Sequence, residues 1–597
     1  MREAWRALRL MLGISFAADA VRSVAALVAT SGQMASAPFR ALGMKILVDG
    51  MAAGDRGQAI LGALIVVGIS AAGRLLHWAS LNARMRLREN SQLHLDGMLM
   101  AITAGIPGLE HHERPDYLDK VELLRSEREY LANPFNPISW TVASVVQTVS
   151  VVGLLVGVHP LLALLPLFGA PGVFFNQRAE RADADLREKQ AEPGRVRRHL
   201  LELTTRAAAA KEVRIFGLAR ELIDRRRRLF DELQREQLRL ARRNTLTTSI
   251  GWAIFGAGYV AAVAFAVELA TTGRASVGQV VLVLTLGAQL NQQMSELSGH
   301  LGWMVHTGRA IRRLLWLMDY AGAARGRLEP ANAVPVPERL AHGIALKGVA
   351  FAYPGTDRPV LEGVDLLLPA GQTVAIVGDN GAGKTTLVKL LCRFYEPTAG
   401  TITVDGVGLA ELSVDEWRSR ISAGFQDFGR LQLLARESIG VGDAARLGDD
   451  AEVLGALERA AAAELPSSLP RGLDTQLGRE FKGGVELSLG QWQKIALGRA
   501  MMRPSPLLLV LDEPTASLDA PTEHALFERF AGAARRAAAA SGAVTLLISH
   551  RFSTVRMADL IVVFSGGRVA EVGDHATLMR AGGLYAQLYE LQGRAYR

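Results

Sequence analysis

Residues 378 to 386 read Gly-Asp-Asn-Gly-Ala-Gly-Lys-Thr-Thr, the spacing G-x-x-x-x-G-K-[ST] of a loop that wraps phosphates. Backbone N–H groups of Gly378, Asp379, Asn380, Gly381, Ala382 and Gly383 form the cradle, and the helix that follows adds its N-terminal dipole. Lys384 would reach the β- and γ-phosphates; Thr385, followed by Thr386, would hold Mg²⁺ through its hydroxyl. A glycine-rich turn opening an ordinary helix has the same local pattern, so the company this loop keeps decides its meaning. Downstream, Leu507 to Leu511 reads as a buried parallel strand ending in Asp512-Glu513-Pro514. Acids at a strand's C-terminal end lie in the crevice where an open α/β sheet binds ligand. Asp512 is thereby placed to hold the metal through water, and Glu513 to activate the attacking water. A third apolar strand, Val544 to Ile548, ends in Ser549-His550, where an imidazole can sense the γ-phosphate.

These groups need a sheet to hold them, and the strand-like run Thr373 to Val377 leading into the loop supplies its next member. The ordered set resembles an ATP-binding cassette (ABC) domain over about residues 343 to 597. That resemblance implies further roles. Tyr353 is the aromatic that stacks on adenine. Gln426 joins the catalytic and metal-holding groups and links them to the membrane domain. Leu487-Ser-Leu-Gly-Gln491 matches the family signature, in which Ser488, Gly490 and Gln491 face a nucleotide. Asp519 belongs to the inter-subunit loop, Glu513 is the catalytic carboxylate and His550 the switch histidine. Seen alone, Tyr353, Gln426 and His550 would pass for a surface aromatic, a loop amide and a core histidine. One departure stands out: the signature's third position is usually glycine and here is Leu489.

The rest of the chain is built for another solvent. Hydrophobic residues make up 49% and charged residues 21%, so the apolar ones must be segregated. Weakly polar stretches lie near 23–47, 58–80, 138–158, 160–176, 247–270 and 277–300, each close to the roughly 20 residues a helix needs to cross a bilayer. The third and fourth nearly touch at His159-Pro160, which reads as a tight turn. Arg2, Arg6 and Arg9, Arg84 to Arg88, Arg225 to Arg228, and Arg242-Arg243 all fall on one side of these crossings. Positive loops stay inside, which puts both long loops and the ATPase in the cytoplasm of a multi-pass plasma (inner) membrane protein. Near the N-terminus, Met11 to Phe16 is a short apolar stretch broken by Asp19 and Arg22. It reads as an interfacial helix leading into the first crossing rather than a secretory signal, and no peptidase-like module is expected before it. A single cysteine, Cys392, excludes intrachain disulfides. The net charge of +8 calls for no nucleic acid partner; the arginine runs suit a solvated helix face or lipid headgroups.

Organisation follows: a membrane α-helical domain of six crossings over 1–320, a proline-bearing linker over 321–342 after a helix reaching about Tyr320, and an α/β P-loop ATPase over 343–597. Pro107 to Tyr117 and Lys211 to Gly217, near the turns of the two long inner loops, resemble the transverse coupling helices of ABC exporters. His111-His112, a conceivable metal pair, lacks further ligands nearby in sequence. The whole chain is similar to an exporter-type half-transporter. That resemblance implies ATP and Mg²⁺ as cofactors, a second half-transporter (the same chain or a different one), the lipid bilayer, and an exported lipid, peptide, drug or secondary metabolite. An importer built on the same fold, with a siderophore-like substrate, is the competing expectation. Gln289, Asn291, Gln292, Gln293 and Glu296, with Arg74 and His77, are candidates to line the path or to stand at headgroup level.

Overall fold

The computed structural model describes residues 2–205, 207–356, 358–513 and 520–595, which fall into two compact units. The first, residues 1–101 and 120–318, is helical. Five of its segments are long and apolar enough to cross a membrane: Trp5–Ala53, Arg56–Ala104, Asn136–Val156, Pro160–Lys189 and Ala219–Thr271. A further helix, Val277–Leu328, has the length, but the amides of Gln289, Asn291, Gln292 and Gln293 depress its hydropathy.

Local chemistry explains the breaks. The first helix is interrupted at Asp19, where the backbone is extended (φ −167°, ψ 94°). Asp19 accepts the Arg22 amide at 3.0 Å, acting as an N-cap for the longer segment beyond it. At the tight turn, His159 Nδ1 accepts the Leu161 amide at 3.2 Å and starts a 3₁₀ turn at Pro160. Buried polar side chains tie helices together: Thr30 to Ser80 at 2.7 Å, and the Gly278 amide to Asp49 at 2.9 Å. The candidate path residues divide. Gln289 donates to the Ala37 carbonyl, and Gln293, 2% exposed, donates to the Ser144 carbonyl and the Thr148 hydroxyl, so these two hold helices together. Asn291, Gln292, Arg74 and His77 are exposed.

The second unit gathers residues 319–597 together with 102–119 from the first long loop. The Val277–Leu328 helix runs about two turns past Tyr320, because Ala321 to Leu328 contains no proline and is rich in alanine. Two sheets follow. Strands β1 (Gly343–Phe351), β2 (Leu361–Pro369), β4 (Ala399–Val404) and β5 (Val407–Gly408) form an antiparallel sheet in the order β2-β1-β4-β5. Strands β3 (Thr373–Gly378), β6 (Ile421–Gly424), β7 (Leu508–Asp512), β8 (Val544–Ile548), β9 (Leu560–Ser565) and β10 (Arg568–Gly573) form the other, ordered β10-β9-β3-β8-β7-β6. All pairings in it are parallel except β10 with β9. Strands β7 and β8 are buried along their whole length, as continuous Leu/Val runs require. A parallel sheet of this kind delivers the C-terminal ends of β3, β7 and β8 to one edge, and the chemistry gathers there.

Candidate functional site

The loop after β3 turns through backbone that only glycine adopts without strain. Gly378 has φ +149°, and a Cβ there would stand 2.2 Å from the Phe564 carbonyl oxygen; Gly383 has φ +98° and abuts Leu361. The helix Lys384–Leu391 starts immediately, so free amides and its positive end face the loop's mouth. Lys384 Nζ donates to the carbonyls of Gly378 (2.7 Å) and Asp379 (2.9 Å). Burial holds the Lys384 ammonium below its ordinary value, against the pull of Glu513 and Asp512.

Across the crevice, β7 and β8 bring three expected residues together. Asp512, 3% exposed, accepts the Thr385 hydroxyl at 3.3 Å. Burial, then the neighbouring charge of Glu513, pushes its carboxyl up to about 6. Glu513 has φ +47°, a left-handed conformation unusual for a carboxylate residue, and its amide is tied to the Ile548 carbonyl at 2.9 Å. One oxygen of Glu513 accepts Gln426 Nε2 at 2.8 Å, and the other meets His550 Nδ1 at 3.2 Å. Lys384, Thr385, Gln426, Asp512, Glu513 and His550 line a single cavity of about 610 Å³. Asn380, Gly381 and Thr386 line it too. Ala382 is buried beneath the loop, its amide bonded to the Asp379 carbonyl. Tyr353 joins at one remove: its hydroxyl lies 3.1 Å from that of Thr386.

The Asp512 carboxyl ionises near 4 unfolded and near 6 folded, so it costs the domain stability as pH rises through that interval. Asp512→Asn should therefore stabilise the nucleotide-free protein at pH 7.5 by about 1–3 kcal/mol, with the gain shrinking towards pH 4.5, while Mg²⁺-dependent hydrolysis is lost. Thermal unfolding at the two pH values measures this; a lower Tm for the variant at pH 7.5 would contradict it.

The signature residues lie elsewhere. None of 487 to 491 lines the cavity of its own chain. Ser488 caps the helix Leu489–Ala500, its hydroxyl accepting the Gln491 amide at 3.2 Å while Gln491 accepts the Ser488 amide at 3.0 Å. This is a reciprocal capping box, and the S-x-x-Q spacing that makes it is visible in the sequence. Gly490 follows in the first turn, and Leu489 is half exposed. Asp519 lies outside the described residues. Among the described residues no group of three or more His, Cys, Asp or Glu is arranged to hold a metal; His111 is buried, tilted against His112 and edge-to-face with Tyr117.

The ABC transporter family model matches residues 361–516, which contain both the phosphate loop and the β7 acids. Over 466 residues, 77% of this chain and 75% of the relative, the sequence is 30% identical to the ATP-dependent lipid A-core flippase of Chromobacterium violaceum. The chain belongs to the ABC transporter family. This transporter is also 26% identical over 486 residues to the subtilin transport ATP-binding protein SpaT of Bacillus subtilis, 81% of this chain and 77% of that one. Its fold matches that of a bacterial Atm1-family ABC exporter with ATP bound, with a TM-score of 0.77 and 24% identity over 96% of this chain and 98% of that one. It is accordingly an exporter-type half-transporter in which a multi-pass membrane domain and an ATP-hydrolysing domain share one chain.

Proposed function

We propose that this transporter works as one of two half-transporters in the plasma membrane, its ATPase in the cytoplasm, exporting a hydrophobic or amphipathic lipid, peptide, drug or secondary metabolite. The observation that carries the dimeric mechanism is the split site. Groups for phosphate binding and water activation share one cavity, whereas Ser488 and Gly490 cap a helix away from it on the same chain. A second ATPase domain facing this one would bring such a helix end to the γ-phosphate. Leu489 is half exposed at the first position of that helix, so its own domain accommodates it, and a second copy of this chain is the simplest partner.

The residues suggest a sequence of events. ATP phosphates replace the Gly378 and Asp379 carbonyls as partners of Lys384. Glu513, now held between Gln426 and His550, orients and deprotonates the attacking water, while His550 is left to contact the γ-phosphate. Thr385, Asp512 and the amide oxygen of Gln426 are hard oxygen donors on one cavity, chemistry suited to Mg²⁺, which would neutralise charge on the β- and γ-phosphates. Motion passes to the membrane helices through the inner loops. The second loop turns at Ile215 and Phe216, both exposed on a single chain, an apolar tip suited to docking on an ATPase domain.

Support for the substrate class comes from relatives named for moving a lipid (the lipid A-core flippase) and a peptide (subtilin transport). The expected result is ATP hydrolysis by this chain purified alone in lipid nanodiscs. Folded protein without activity would overturn the pairing of two copies and require a different partner subunit.

A further inference from the structure

The stretch 102–119 belongs to the same compact unit as the ATPase, and its two ends meet that domain differently. At its start it is bolted down. Arg418 Nη2 donates to the Pro107 carbonyl at 2.5 Å, the Leu109 amide reaches the Phe394 carbonyl at 3.4 Å, and Leu109 packs on the sheet core. Its far end makes a charged contact instead. Glu113, closing the short helix Glu110–Glu113, accepts Lys389 Nζ at 3.0 Å on one oxygen and the Tyr395 hydroxyl at 2.5 Å on the other.

Both partners lead to Tyr353. The Lys389 ammonium stands 5.0 Å from the Tyr353 ring centroid, a cation–π distance, and Tyr395 meets that ring edge-on at 5.5 Å and 84°. Burial opposes the charge on Lys389, yet the bond to Glu113 and the pull of the Tyr353 hydroxyl more than offset it, so the ammonium is held above its ordinary value. Phe351 closes the cluster 5.0 Å from Tyr353, and the Tyr353 hydroxyl reaches Thr386 beside the phosphate loop.

We propose that Glu113 is a positioning residue for the nucleotide base: through Lys389 and Tyr395 it sets the pose of the Tyr353 ring, and so makes the 107–117 loop responsive to an adenine stacked there. This rests on the reading of Tyr353 as the base-stacking residue. An ammonium over one face of a tyrosine ring leaves the other face to stack on a purine, and fixing the ring in advance removes part of the ordering cost of binding. Glu113 makes none of its bonds to residues 378–385, so the effect belongs to the base and not to the triphosphate. Arg418 and Leu109 still fasten the loop when Glu113 is changed, which separates positioning from simple anchorage.

The test uses the full chain in nanodiscs, with inorganic tripolyphosphate as a competing ligand that has no base. Glu113→Gln should raise the KM for ATP about three- to tenfold, leave kcat within about twofold, and leave inhibition by tripolyphosphate unchanged. Lys389→Met should do the same if Glu113→Gln folds poorly, and neither change should add to Tyr353→Ala. Hydrogen exchange across 107–117 should slow more with ATP than with tripolyphosphate in the wild type, and this difference should vanish in Glu113→Gln. An unchanged KM in Glu113→Gln, with a raised KM in Tyr353→Ala, overturns the positioning role. Parallel losses of ATP and tripolyphosphate binding also overturn it, showing a merely structural contact. An unchanged KM in Tyr353→Ala overturns instead the base-stacking reading beneath it.

Discussion

Glu513→Gln should bind ATP with nearly wild-type affinity and hydrolyse it about 10²- to 10⁴-fold more slowly, the loss expected when a positioned general base is removed. The structure explains why binding should survive. Glu513 is not bonded to the phosphate loop; its partners are Gln426 and His550, and a glutamine amide can keep a hydrogen bond to each. The substitution also preserves side-chain volume and branching at a residue held in a left-handed backbone (φ +47°), adding no new strain there. What disappears is basicity. Because hydrolysis would release the two cassettes, the variant should accumulate as an ATP-bound closed pair, visible as an ATP-dependent rise in cross-linking between ATPase domains. Wild-type turnover in this variant would remove Glu513 from the mechanism.

Lys384→Ala should fail one step earlier. Its ammonium now bonds two loop carbonyls, Gly378 and Asp379, and is the cation nearest the place where β- and γ-phosphates would sit. Charge-assisted hydrogen bonds contribute about 1.5–3 kcal/mol each, so ATP affinity should fall about 10- to 100-fold and hydrolysis should become undetectable. The domain itself should tolerate the change, because the glycine conformations and the β3 pairing that shape the loop are independent of the lysine side chain. Equilibrium binding of a fluorescent ATP analogue checks this. The two variants then separate: Glu513→Gln binds without turnover, and Lys384→Ala does neither. ATP binding retained by Lys384→Ala would place the phosphates elsewhere.

Much of this site was legible because its parts are local in sequence. The phosphate loop, the β7 acids and the β8 histidine each sit at the end of an apolar run, and parallel pairing of β3, β8 and β7 brings those ends together. The capping role of Ser488 and Gln491 is also written in the S-x-x-Q spacing, although the same residues match a nucleotide motif. Contacts between distant segments were not legible. Glu113 lies 276 residues from Lys389 and 282 from Tyr395, and no periodicity or spacing links them. In the membrane half, all six expected crossings correspond to helices, and among the described residues five are apolar enough to span, the amides of Val277–Leu328 lowering its hydropathy. Gln289 and Gln293 look like path residues in a sequence; bonded to Ala37, Ser144 and Thr148, they brace helices. The end of that last helix was placed too early because an alanine-rich run after Tyr320 carries no stop signal before Pro330.

ATP hydrolysis on this chain should drive movement of an amphipathic substrate away from the ATPase side. Proteoliposomes holding the chain with its ATPase domains outward measure that directly, using fluorescent lipid A, a labelled amphipathic peptide and an amphipathic dye as probes. At least one probe should accumulate in the inner leaflet or lumen with ATP and Mg²⁺, and none for Glu513→Gln. Movement that proceeds without ATP, or ATP-driven movement out of the vesicles, would contradict it.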